Sequence, residues 1–186
     1  MGLFDFMKKD KGPDYDPTNL KVTDLNKGFV FEYDMKTWVV QEAYEYDWGS
    51  NYFTRELKIN DGSDTRYLSV DADDEIELII SQKIKMGTID EDIMEAVKEK
   101  ERPPKKIHYK GTTFYRDEES PGYFRNMEDE AEPDDSWSEL IAWDYYDEDD
   151  HLTITIEQWG ENEFEASFGQ VVKTHEISNI LPGTTE

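Results

Sequence analysis

At 186 residues, with 20 Lys plus Arg against 45 Asp plus Glu, the chain carries a formal charge of −25. Self-repulsion on that scale favours solubility and opposes close approach to phosphate backbones, which sets direct nucleic-acid binding aside. With no cysteine there are no disulfides, thiolate nucleophiles or sulfur-ligated metals. No stretch approaches the roughly 20 apolar residues of a membrane span.

The apolar fraction is only 36%, yet 5 Trp, 11 Tyr and 9 Phe are present. Large rings bury much area per residue, so a real core is expected rather than disorder. The organisation expected from the sequence is an N-terminal amphipathic peptide and linker (1–19), a first β repeat (20–88), a connecting helix (89–104), a second β repeat (105–181) and a tail (182–186).

The first residues are apolar and then basic. As a short amphipathic helix, Leu3, Phe4 and Met7 line one side, Phe6 sits at the edge, and Lys8 and Lys9 cluster behind. The charges follow the apolar run, unlike a secretory signal, and Phe6 stands where a myristoylation motif needs Ser or Thr. Apolar side chains beside lysines suit docking to a membrane surface or a protein partner, while fraying or folding back onto the sheet is the plainer account. A cytoplasmic protein, peripheral to the inner face of the membrane when docked, is expected.

The body alternates apolar and polar residues with period two, the mark of half-buried strands. Phe29, Phe31 and Tyr33 share one face. Trp38, Val40, Tyr44, Tyr46 and Trp48 are read as another, continued by Phe53, Leu57 and Ile59. Asn60-Asp61-Gly62-Ser63 is a hairpin turn, since Asp-Gly tolerates positive φ. Leu68 and Val70 follow, then Ile76, Leu78 and Ile80. A helix is expected over about 89–101, with Thr88 and Glu91 at capping-box spacing and Ile89, Ile93, Met94 and Val97 as its apolar stripe.

The second half repeats this grammar. Ile107 and Tyr109 lead to Phe114 and then Tyr123-Phe124, followed by an acidic run from Glu128 to Asp135 read as a loop. Leu140, Ala142 and Tyr146 come next, with Trp143 on the opposite face. Leu152, Ile154 and Ile156 precede a turn at Trp159-Gly160-Glu161-Asn162, then Phe164, Ala166 and Phe168. Four blocks recur in order: Tyr33/Thr37-Trp38 with Tyr109/Thr113-Phe114, Glu56-Leu57 with Glu139-Leu140, Leu68-x-Val70 with Ile154-x-Ile156, and Glu75-Ile76-Glu77-Leu78 with Glu163-Phe164-Glu165-Ala166. The expected fold class is mainly β: two tandem copies of an antiparallel five-strand meander, forming small barrel-like or sandwich halves, with one helix between them.

The blocks Glu32-Tyr33-Asp34-x-x-Thr37-Trp38, Tyr52-Phe53-Thr54-Arg55-Glu56-Leu57, Tyr109-Lys110-Gly111-Thr112-Thr113-Phe114 and Glu157-Gln158-Trp159-Gly160 resemble the bacterial domain of unknown function 4178 family. The resemblance spans roughly residues 20–180. It implies no established activity, and it implies a setting beside phage-shock-protein-A-like membrane-remodelling proteins, small membrane proteins and polyamine-synthesis enzymes.

No catalytic motif stands out. His108, His151 and His175 are scattered and none has a metal-ligand spacing, while Lys110-Gly111-Thr112 lacks the upstream glycine of a phosphate loop. Glu157 beside Trp159 is the one pairing of interest for glycosidase chemistry, in a chain where carboxylate pairs arise by chance. The acidic turns Asp71 to Glu75 and Asp147 to Asp150 lack the calcium-loop order and read as solvated hairpin ends. No enzyme activity, cofactor or metal is expected. The leading expectation is an adaptor that binds protein partners in a membrane-maintenance assembly. The alternatives are a module for a polycation such as a polyamine, held by carboxylates and aromatic rings, and an acidic nucleic-acid mimic.

Overall fold

The computed structural model describes residues 15–16, 18–128 and 137–183. A first run of strands holds β1 (Val30–Tyr33), β2 (Lys36–Asp47), β3 (Phe53–Asn60), β4 (Thr65–Asp71) and β5 (Glu77–Ile84). After a helix, α1 (Ile93–Lys100), come β6 (Lys106–Tyr109), β7 (Thr112–Asn126), β8 (Ser138–Tyr146), β9 (Leu152–Gly160) and β10 (Glu163–Val172). A last strand, β11 (Ser178–Leu181), returns to pair with β1. Two-residue turns with positive φ, Asp34-Met35 and Lys110-Gly111, join β1 to β2 and β6 to β7. Their mirror-type geometry matches the twist of the strands they connect.

All eleven strands form one antiparallel sheet, in the order β11-β1-β2-β3-β4-β5-β10-β9-β8-β7-β6. The sequence leaves open whether the halves form separate barrels or one sheet system, and the pairing of β5 with β10 from Leu78↔Val172 to Ile84↔Ala166 makes them one sheet. Fusing the runs covers two strand edges that would otherwise be left unpaired. A second seam, from Tyr44↔Asn126 to Asp47↔Tyr123, joins β2 to β7. Together these seams close β2-β3-β4-β5-β10-β9-β8-β7 into a ring of eight strands. β2 and β7 are long enough to pair with β1 and β6 near their starts and with each other near their ends. Each is bent midway by a bulge, between Val40 and Glu42 and between Arg116 and Glu118.

The apolar faces of the ring strands point away from its interior. Trp38, Leu57, Leu68 and Leu78 join Phe31 of β1 and Leu25 in one core, against which Tyr15, Leu20 and Ile180 pack. Trp143, Tyr145, Ile154 and Ile156 join Ile107 of β6 and Ile93 and Val97 of α1 in a second. The bulge in β2 explains a wrong expectation: one extra residue reverses the alternation, so Ala43 faces the first core and Tyr44 and Tyr46 turn to the other side. Phe53, Ile76 and Met94 are exposed rather than core residues. The helix begins at Ile93, with a 3-10 turn over Met86–Thr88 before it. The Thr88 hydroxyl donates to the Lys85 carbonyl instead of capping the helix. Trp159 and Gly160 belong to β9, so that turn is shorter than expected.

The expected N-terminal amphipathic helix, with Leu3, Phe4, Phe6, Met7, Lys8 and Lys9, lies outside the described residues, as does most of the acidic run after Glu128. No helix among the described residues is long and apolar enough to cross a membrane.

Candidate functional site: a polar lumen inside the ring

With most apolar side chains directed outward, the alternate residues of the same strands point inward, and most of them are polar. Ser69 alternates with Leu68 and Val70, Thr155 with Ile154 and Ile156, and Ser81 and Lys83 lie beyond Ile80 on β5. Small side chains leave space, and the ring encloses a cavity of about 330 Å³. Eight strands suffice to hold one small ligand. Gly169 contributes to the narrow part of the lumen, since a Cβ there would meet Ile79 Cγ2 at 2.8 Å and Thr153 Oγ1 at 2.9 Å.

The floor of the cavity is carboxylate-rich. Glu56 of β3 and Glu157 of β9 face one another across the Tyr46 hydroxyl, which donates at 3.5 Å to Glu56 Oε1 and at 3.3 Å to Glu157 Oε1. Burial, reinforced by the charge of Glu157, pushes Glu56 up to about 7. Burial also pushes Asp144 of β8 up, to about 6, against the stabilising hydrogen bond from Thr155 Oγ1 at 2.6 Å. The Tyr46 hydroxyl is held well above its usual range by burial and by both glutamates, so it remains a donor.

One cation stands among these acids. Lys83 Nζ lies 3.2 Å from Glu157 Oε2 and 2.9 Å from Glu165 Oε2, over the Tyr67 ring at 5.3 Å from its centroid. Burial alone would lower Lys83, but the attraction of Glu157, Glu56 and Glu165 outweighs it and holds the ammonium protonated. Arg55 also borders the cavity, yet its guanidinium donates to the carbonyls of Thr23 at 3.2 Å and Leu25 at 2.8 Å, on the side of the first core.

Aromatic rings wall one flank. Trp48 stacks on Tyr46 with centroids 5.3 Å apart and planes 7° from parallel. Phe124 packs edge-on against both Tyr46 and Trp159. The mouth is acidic. Asp71, Glu77 and Asp117 line the cavity and also the outer clefts that carry Asp73, Asp74 and Glu75 on one side and Asp147, Glu148 and Asp150 on the other. Tyr52 donates to Asp71 at 2.5 Å and Tyr146 to Glu77 at 3.2 Å, which orders this rim.

The two acidic turns weighed for calcium thus flank the entrance. Asp71 and Asp147 accept local backbone N–H groups, as solvated hairpin ends do. No group of three or more potential ligands among the described residues is placed to hold a metal ion. His108 is held to Asp90 at 3.2 Å on the surface, and His151 and His175 are exposed. Of the residues weighed from the sequence, Glu157 and Asp71 line the cavity, and Trp159 packs against Phe124 beside it. Lys83 and Asp144 carry no sequence signal of a site, and Glu56 stands out only within a repeated block, because a charge on the face alternate to the apolar one reads as the solvent side of a sheet.

The family profile described as Domain of unknown function (DUF4178) matches residues 26–174, which takes in every strand of the ring. The chain belongs to this family. A relative described as an uncharacterized protein of Aquifex aeolicus (strain VF5) is 28% identical over 159 residues, 85% of this chain and 83% of that one. No solved structure matches. Within the DUF4178 match fall all four charged residues of the cavity floor: Glu56, Lys83, Asp144 and Glu157.

Proposed function

We propose that this DUF4178 chain is a binding module for a small organic cation, taken into the lumen of the eight-stranded ring. One observation carries the reading: the buried Glu157 and the half-buried Glu56 and Asp144, from strands of both runs, converge on one cavity whose entrance is also acidic. Placing like charges together inside a fold opposes stability. A cationic ligand relieves that cost, and tyrosine and tryptophan faces supply cation–π contacts alongside charge. An acidic rim concentrates cations at the mouth before they enter.

Calorimetry with spermidine as probe, at physiological salt, tests this. Saturable heat is expected from the wild-type protein and its loss from the Glu56→Gln/Asp144→Asn double variant. No saturable heat from the wild type, or undiminished heat from the variant, refutes the reading. The adaptor expectation rests on residues 1–9 and on family context, and nothing in the geometry of the described residues adds to it.

The two runs of strands are further read as copies of one unit. The matching bulges in β2 and β7 support this, as do the equivalent roles of β1 with β6 and the paired turns. Counting from the bulges, Leu57 pairs with Trp143 rather than with Leu140, which faces the lumen side. The second block of the expected alignment is therefore shifted by three residues.

A further inference from the structure

Lys83 already shows what the end of the lumen opposite the acidic mouth recognises. Its side chain is an aminobutyl group tethered to β5, and the ammonium is held by two carboxylates, Glu157 at 3.2 Å and Glu165 at 2.9 Å, with the Tyr67 ring 5.3 Å beneath it. Carboxylates around an aromatic face are how proteins bind alkylammonium ions. The salt bridges are partly open to solvent, the Lys83 side chain being 35% exposed and that of Glu165 55%. The lysine can therefore swing out without unfolding its strand. The acidic mouth at the other end of the lumen holds Asp71, Glu77, Asp117 and Glu118, and no salt bridge among the described residues engages them.

We infer that the Lys83 end of the lumen is an alkylammonium subsite occupied by that lysine in the unliganded protein, and that the ligand is a linear diamine or polyamine. One terminal ammonium displaces the lysine, and another rests among the acids of the mouth. This rests on the cation-binding reading of the lumen and adds to it the ligand class and the specificity-determining residue. A cation with a single charged group cannot serve both ends, so the tethered lysine also screens out monoamines: it competes at a local concentration in the millimolar range or above.

The test titrates putrescine and butylamine into wild-type protein and into Lys83→Ala, by calorimetry. The variant is expected to bind putrescine about tenfold or more tightly than wild type does, because the tethered competitor is gone. Butylamine, which replaces the missing side chain, is expected to bind the variant and not the wild type. A variant that binds putrescine no better than wild type, or that ignores butylamine, overturns the inference. If wild type and variant alike bind no amine, the cation-binding reading falls with it, so the two failures are distinguishable. Should Lys83→Ala not fold, the wild type decides alone: its Lys83 side-chain ammonium signal in NMR should move to solvent-like exchange on saturation with putrescine. A signal that stays protected in the saturated complex refutes displacement.

Discussion

The two faces of the ring strands obey opposite rules. On β3, Leu57 is fully buried in the first core while its neighbour Glu56 points into the lumen and is raised to about 7. On β9, Ile156 and Glu157 divide in the same way, and both are buried. In many small barrels the interior is the core. Here the core lies outside the ring, in two parts covered by β1 with β11 and by α1 with β6. The interior is thereby released from packing duty and can carry charge. Stability and ligand chemistry occupy opposite sides of the same strands.

The largest expected effect comes from breaking the packed side. Leu57→Ala removes a fully buried side chain from among Trp38, Leu68 and Ile59. Large-to-small changes in such sites cost about 2–5 kcal/mol, since the lost transfer energy is joined by the cavity left behind. Chemical denaturation should show that loss, with little change in affinity for a cation where the variant is still folded. A Leu57→Ala protein as stable as wild type would place the core elsewhere.

Much of this packed side was legible in the sequence. Phe31, Trp38, Leu68, Ile107, Phe114 and Ile154 stand in alternating runs, and each is buried. Period-two patterning records which residues share a face, and a core face is apolar whichever side of a ring it lies on. The ring itself was not legible. Its closure depends on pairings such as Ile80 with Gln170 and Tyr44 with Asn126, far apart in the chain and set by no local signal. The lumen was hidden for a related reason: serines, threonines and glutamates alternating with apolar residues look the same whether they face bulk water or an enclosed cavity. The β2 bulge added a local error, because a single inserted residue shifts the phase of everything after it.

A smaller effect is expected at the boundary between the two sides, where Trp48 lies over the end of the lumen against Gly122 of β7. A Cβ on Gly122 would come within 2.5 Å of Trp48 Cε3 and 2.8 Å of its Cζ3. Gly122→Ala must therefore push the indole off Tyr46 and strain the hydrogen bond from Trp48 Nε1 to Thr54 Oγ1, now 2.9 Å. Overpacking of this kind costs about 1–3 kcal/mol. A change in Trp fluorescence should accompany the loss, because the ring leaves its stacked position. Unchanged fluorescence and stability would mean the glycine is not what lets Trp48 close the lumen.

The smallest effect has the opposite sign and completes the pair begun at Leu57. Glu56 binds its proton more tightly in the folded chain than in the unfolded one, and so does Asp144. The stability these groups contribute is present in full below the ordinary carboxylate range and is lost as pH rises through about 6 to 7. Above that range Glu56 is ionised beside Glu157 at a cost to the fold. Glu56→Gln removes the cost, and with solvent reaching the lumen the gain at pH 8 should be about 1–2 kcal/mol, fading towards zero at about pH 4. The same substitution should weaken spermidine binding. Measured by denaturation at both pH values and by calorimetry, a variant more stable yet poorer at binding marks a residue kept for a ligand. A variant destabilised at pH 8 would instead make Glu56 a structural partner of Lys83, and would return the lumen to the same rule as the core.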